Sequence, residues 1–231
     1  MKNLIYIIIT LSLSFTGKAS LQAQTNAYQK TADSDPDAMQ LLEKLKVKYE
    51  GFKNMQMDFD LEIEIPEEDK IVQKGKILQQ GEQFHLDIEQ QSVISDGEKV
   101  WIHLKNNNEV QIHSAAAMAE EENFMSPQNL LKLYESDAFI FAISDELQLD
   151  GKTVALIECK PIDADSEFSK MRLTVDTKNL DMVSVKAFSK DGSRYTFVNK
   201  QLVSDISIPS SKFTFDASLF PDIYVEDMRD Y

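Results

Sequence analysis

The side chains that could do chemistry are few and poorly spaced for it. The three histidines, His85, His103 and His113, each fall in a strand-like segment. They form no HExxH pattern and no cysteine pair accompanies them, so they read as exposed strand residues rather than zinc ligands. Cys159 is the single cysteine and has no histidine nearby in sequence to make a nucleophile–base pair. Within Val154–Cys159 it reads as a buried, inert thiol. There is no GxSxG, and no glycine-rich turn opens a helix; of seven glycines, three sit in Asp-Gly turns. Asp58, Asp60, Glu62 and Glu64 share one strand face, but without a DxDxDG loop they form a solvated face rather than a calcium site. Glu120-Glu121-Glu122 reads the same way, as a solvated loop. No catalytic residue, metal ligand or cofactor is assigned.

Charge narrows the field further. The 24 Lys and Arg face 39 Asp and Glu, a net charge of −15. Such a chain repels phosphate backbones and anionic headgroups, which excludes nucleic acid as a partner. What remains is apolar. Thirteen phenylalanines, seven tyrosines, nine methionines and one tryptophan suit an oily interior. Methionine in particular adapts to a partner of no fixed shape.

The elements that would position this interior can be read from periodicity. Lys2 and Asn3 precede an apolar stretch, Leu4 to Phe15, shorter than the roughly 20 residues that span a bilayer. Leu21-Gln22-Ala23 offers a cleavage site, so residues 1–23 are expected to be an export signal and 24–34 a flexible leader. The folded domain is then 35–231. With no cysteine near that site to take a lipid, the mature protein is expected to be soluble in the periplasm, as a monomer. Asp35-Pro36 opens a helix whose stripe is Ala38, Leu42, Leu45, Tyr49 and Phe52, ending at Gly51. After it the period changes to two: Met57, Phe59, Leu61, Ile63 and Ile65 alternate with acids, and Pro66 closes the strand. Similar runs recur at Phe84–Glu89, Val110–His113, Met171–Asp176 and Tyr195–Phe197, separated by turn signals. About ten strands are expected in one antiparallel meander with a wet face and a dry face.

The dry face is the candidate site. Parity places Phe59, Leu61, Ile63, Phe84, Leu86, Ile88, Val100 and Ile102 on it, opposite the charged residues. Trp101 falls on the other face unless a bulge after Asp96-Gly97 reverses it. Residues 114–136 break the strand pattern and are expected to form a mobile helical lid. Its candidates are Met118, Phe124, Met125, Leu130, Leu131 and Tyr134, the last three on a short helix capped by Ser126 and Pro127. Two or three short helices cannot cover such a sheet, so it must curl into a barrel or leave a cavity that the helices partly cover.

Two stretches resemble the periplasmic outer-membrane lipoprotein carriers of the LolA family. Val93-Ile94-Ser95-Asp96-Gly97-Glu98-Lys99-Val100-Trp101-Ile102 looks like the family's strand, turn and tryptophan-bearing strand. Lys212-Phe213-Thr214-Phe215, with Val225-Glu226-Asp227 beyond it, looks like its closing Phe-x-Phe segment and acidic tail. The order of elements fits from about residue 36 onward. The resemblance implies an unclosed, strongly curved β-barrel with a helical lid, and keeps Trp101 as an acyl-binding candidate. It also implies acylated lipoproteins as cargo, an inner-membrane release complex and an outer-membrane acceptor. One departure stands out. Members place an Arg-Pro pair after the strand that begins here at Gly75, where this chain has Gln79-Gln80-Gly81-Glu82, so no gating role of that arginine transfers. The alternative is an amphiphile-binding or envelope-sensing module on the same fold. A hydrolase hidden among the carboxylates is disfavoured by the absence of converging polar groups.

Overall fold

The computed structural model describes residues 33–120 and 138–229. The expected export signal, most of the expected leader, and the lid candidates Phe124, Met125, Leu130, Leu131 and Tyr134 lie outside the described residues, as does the helix expected from Ser126.

Helix α1 spans Pro36–Glu50. Asp35 is extended, and its carboxylate accepts the Asp37 N–H at 2.9 Å. Pro36 occupies the first turn, where a missing N–H costs nothing. Ala38, Leu42, Leu45 and Tyr49 are buried along one stripe, and the helix stops at Gly51.

The first meander consists of β1 (Met55–Glu64), β2 (Ile71–Gln80), β3 (Gln83–Ile88), β4 (Gln91–Ser95), β5 (Lys99–Leu104) and β6 (Glu109–Ser114). The short helix α2 (Ala115–Glu120) follows. A second meander consists of β7 (Phe139–Leu149), β8 (Lys152–Pro161), β9 (Phe168–Asp176), β10 (Asp181–Ser189) and β11 (Arg194–Ser204). The two are fused where β1 pairs antiparallel with β11, with a register shift at Asp58/Phe59. Finally β12 (Tyr224–Asp227) lies parallel to β6. The result is one sheet in the order β12, β6, β5, β4, β3, β2, β1, β11, β10, β9, β8, β7. It is mostly β and does not close, since β12 and β7 are its two edges.

Two expectations need correction. Among the described residues there are twelve strands rather than about ten, and the last is parallel. The meander is also not continuous: β6 and β7, consecutive in the chain, stand near opposite edges of the sheet.

The sheet curls around α1. At the helix N-terminus, the Asp35 N–H reaches Phe141 O on edge strand β7 at 2.8 Å, and the Phe141 N–H reaches Ser34 Oγ at 3.0 Å. At the other end the Met182 N–H of β10 donates to the Tyr49 hydroxyl at 3.1 Å, and Lys48 pairs with Asp181. The apolar cluster containing this helix extends from Phe141, Ile157 and Leu173 across to Met57, Ile77 and Ile88.

The acidic stripe of β1 lies on the outer face. Lys76 meets Asp58 at 3.3 Å, Lys200 meets Asp60 at 3.4 Å and Lys70 meets Glu62 at 2.7 Å. Lys186 and Arg194 both reach Glu64, at 3.5 and 3.6 Å. Neighbouring strands therefore supply a base for each acid. Such pairs are individually weak, but they keep this face polar and wet.

Candidate functional site: the inner face of the sheet

The register brings the eight parity candidates together on the inner face. Phe59 lies opposite Gly75, which lies opposite Ile88. Leu86 stands between Ile77 and Val93, and Val93 opposite Ile102. Phe84 reaches Val100 through Ser95. Leu61 and Ile63 continue the same side of β1, facing Gln73 and Ile71. Phe59, Ile63, Phe84, Ile88, Val100 and Ile102 are buried, while Leu61 and Leu86 are half-buried and pack against the clusters.

Gly75 explains how Phe59 lies down on the sheet. A Cβ on that glycine would fall 2.1 Å from Phe59 Cζ, so the ring occupies the place of the missing side chain. The ring also stacks on Phe197 with centroids 4.3 Å apart. Only glycine admits so close an approach of a ring to a central strand.

The inner face is divided between two apolar clusters. One is built around α1 and includes Phe59 and Ile88. The other contains Phe84, Val93, Val100, Ile102, Leu104 and Met118, with Leu86 and Ala115 against it. Met118, on α2, is 6 % exposed, so this lid candidate does lie on the inner face. Val93 and Leu104 were not among the candidates; Leu104 extends the alternation of Val100 and Ile102 by one step, whereas Val93 lies on β4, which carried no candidate. Met55, Met57, Met171 and Met182 are also buried in the α1 cluster.

Trp101 is not part of this surface. It pairs with Ile94 and Ile112, and no register shift follows Asp96-Gly97. The turn is instead a tight one: Gly97 has φ +96°, and Asp96 Oδ1 accepts the N–H groups of Glu98 and Lys99 at 2.9 and 2.8 Å. Parity therefore holds, and the tryptophan stands on the outer face.

Among the described residues, the inner positions of β3 to β5 carry no titratable side chain, while β6 places Glu109 and His113 on that side, opposite Leu104 and Val100. Burial pushes the Cys159 thiol up to about 12, which leaves it an unreactive core residue. Burial likewise pushes Tyr49 up to about 12, its hydroxyl accepting a backbone N–H. The reading of the histidines as exposed fails. His103 is only 6 % exposed, with its ring 5.2 Å from that of Phe215 and 4.7 Å from that of Phe220. His85 Nδ1 lies 2.9 Å from Lys212 O. Both are covered by the C-terminal segment, which crosses the outer face before β12. Pattern reading missed this because it saw that segment only as a tail. Among the described residues, no group of His, Cys, Asp and Glu is placed to hold a metal ion.

An open sheet with this helix and this apolar inner face corresponds to a known family. The model of that family, described as outer membrane lipoprotein carrier protein LolA, matches residues 50–216. The chain belongs to the LolA family. The match takes in β1 to β11 and the Phe213-Thr214-Phe215 segment, and leaves β12 and nearly all of α1 outside. An uncharacterised conserved protein from Thermus thermophilus has the same fold, with a TM-score of 0.55 and 11% identity over 83% of this chain and 99% of that one. A LolA superfamily protein from Nitrosomonas europaea is similar at a TM-score of 0.41 and 12% identity, covering 77% and 97% of the two chains. The lipoprotein LppX from Mycobacterium tuberculosis is similar at a TM-score of 0.47 and 7% identity, covering 76% and 100%. Comparison with curated proteins gave no match.

Proposed function

We propose that this LolA-family chain is a periplasmic carrier that holds the acyl chains of lipoproteins against the inner face of its sheet and moves them from the inner to the outer membrane. The observation that supports this reading is the apolar surface of β3 to β5. From Phe84 to Leu104 its inner positions are Phe, Leu, Val and Ile apart from Gln91 and Ser95, and among the described residues the helical side chains packed on it are Met118 and Ala115. That surface is enough to bind an acyl chain. Each buried CH₂ contributes about 0.8 kcal/mol, so a chain of a dozen methylenes gains on the order of 10 kcal/mol before ordering costs. A carrier must also let go, which suits a light cover better than a packed core.

The acyl-binding set in this reading is Phe59, Leu61, Ile63, Phe84, Leu86, Ile88, Val100 and Ile102, with Met118 in the cover. The export signal of residues 1–23 would be removed on entry to the periplasm, and the carrier would exchange cargo with a release complex in one membrane and an acceptor in the other. The test is release of a labelled lipoprotein from membrane vesicles by the purified protein, with mass spectrometry of the product for co-eluting acyl chains. A folded protein that extracts nothing and holds no lipid would overturn the carrier reading and favour a sensing module on the same fold.

A further inference from the structure

The outer face of β3 to β6 has its own cover. After β11 the chain is pinned beside α1, where the Asp205 and Ile206 N–H groups donate to Asn54 O and Oδ1, both at 2.9 Å. It then crosses the sheet as a strap and ends in β12. Phe213 is completely buried, while Phe215 and Phe220 stack 5.1 Å apart with their rings against His103. The Tyr224 and Met228 N–H groups donate to Asn108 O and Ile112 O at 2.9 and 2.8 Å, bracketing the β6 edge. Two of the contacts that hold the strap down are thus histidines: His85 on the Lys212 carbonyl, and His103 under two phenylalanines.

We propose that residues 209–229 are a proton-operated strap: protonation of His85 and His103 releases the segment with β12 and frees the β6 edge, while the rest of the sheet stays folded. The surrounding charges leave an imidazolium poorly compensated. From β3 comes Asp87, but its carboxylate already takes Lys105 Nζ at 2.7 Å and the Ser92 hydroxyl. The turn after β5 contributes Lys105 and β5 itself Lys99, both cationic. From the strap come Lys212 beside His85, and Asp216, whose carboxylate is taken by Ser218. The strap's Asp227 is paired with Arg229, and Asp222 and Glu226 complete its charges. On this face β2 contributes Leu78 opposite His85 and the cationic Lys76 opposite Asp87, paired with Asp58, while β4 contributes Ser92 and Ile94 and β6 Val110, Ile112 and Ser114, none of these five titratable. Burial is the largest cause and holds both imidazoles below their ordinary value. At His85 it outweighs Asp87 and the Lys212 carbonyl, which favour the cation, with the Lys212 and Lys105 charges adding to it. At His103 Lys105 adds to it against Asp87. The sign follows. The closed strap prefers neutral histidines and the released strap binds protons more readily, so closure is complete above about pH 6.5 and weakens below it. Each pH unit below that value favours release by up to about tenfold per histidine, until the closed-state values are passed.

Release leaves the backbone groups of β6 unpaired, and such an edge is a ready template for another strand. This strap is independent of what the inner face carries. The experiment is hydrogen exchange of the full chain at pH 7.5 and 5.5, corrected for the intrinsic pH dependence of exchange. Peptides from 209–229 and 109–114 should lose protection at the lower pH, by up to about tenfold for each histidine, while peptides from β9 keep theirs. The double variant His85→Gln/His103→Phe should keep the strap protected at both pH values. Unchanged strap protection in the wild type, equal loss in β9, or an undiminished pH response in the double variant would each overturn the proposal. If the double variant does not fold, an NMR titration of the wild-type imidazoles decides. Their protonation must coincide with strap opening, and titration of either with the strap still closed also overturns it.

Discussion

The inner face of the sheet is apolar on both sides of β2, yet its two halves are held very differently. On the α1 side a 15-residue helix buries four side chains and is hydrogen-bonded to β7 at one end and β10 at the other. Ile157, Val175 and Cys159 there are 0% exposed. On the β3 to β5 side, among the described residues, the six-residue α2 contributes the packed side chain of Met118 and a hydrogen bond from the Ala115 N–H to Glu98 O at 2.9 Å. Six residues are too few to be helical without such support. On the carrier reading proposed above, the first half is a permanent core and the second a surface whose cover is exchanged for cargo. Similar apolar composition would then serve two purposes, told apart by the tethers and not by the hydrophobicity.

The sharpest way to break this comparison is to damage the permanent half. Phe141 is 1 % exposed beneath the N-terminus of α1, and Phe141→Ala should destabilise the fold by about 3–5 kcal/mol. Urea unfolding followed by fluorescence would measure it. A loss of less than about 1 kcal/mol would mean that the α1 half is as yielding as the other. Next comes Leu86→Glu, at a half-buried position in the second half. Its cross-strand neighbours Ile77 and Val93 offer a carboxylate no hydrogen bond, and burying it beneath an acyl chain costs about 3 kcal/mol. Amphiphile binding should fall by roughly 100-fold, read as displacement of a fluorescent fatty acid, while the urea midpoint moves less than for Phe141→Ala. Unchanged binding in a folded variant would place the cargo elsewhere.

Gly75→Ala tests the strip between the halves. The added Cβ would stand 2.1 Å from Phe59 Cζ, so the ring must lift toward the inner space and off Phe197. Such overpacking costs about 1–3 kcal/mol, and it should also narrow the binding surface. The pairing of lost stability with weakened fatty-acid affinity is the expected signature. A neutral effect on both would show that Phe59 has room that the packing does not indicate.

The same contrast explains what could be read in the sequence. Period-two alternation is a direct consequence of a sheet with one wet face, so Phe59 through Ile102 were legible, and so was α1 with its Asp35-Pro36 start. Parity even placed Trp101 correctly, against the expectation carried by the family likeness. What escaped were features made by distant contacts. The pairing of β1 with β11 depends on closing a loop of well over a hundred residues, about which local pattern says nothing. β12 is four residues without alternation, and becomes a strand only because β6 offers an edge. The burial of His103 is decided by Phe215 and Phe220, more than a hundred residues further along the chain. The division of the inner face into core and cover escaped for the same reason: Leu42 and Met118 are alike as apolar helical residues, and only their tethers differ.

Met118→Ala probes that last point and should have the smallest effect on stability. The residue is 6 % exposed, and in a rigid core the truncation of such a side chain costs about 2–5 kcal/mol. That cost presumes that the surrounding structure stays in place. If α2 opens locally without the rest of the sheet, removing the packed side chain of Met118 can cost no more than the docking of α2 does, and the global transition barely registers the change. The urea midpoint should therefore shift by less than about 1 kcal/mol equivalent, while bound fatty acid dissociates several-fold faster because the cover over Phe84 and Val100 is weaker. Stopped-flow transfer to acceptor vesicles measures the second quantity directly. A stability loss as large as that of Phe141→Ala would show that α2 is part of the permanent core, and the distinction between the two halves would be lost.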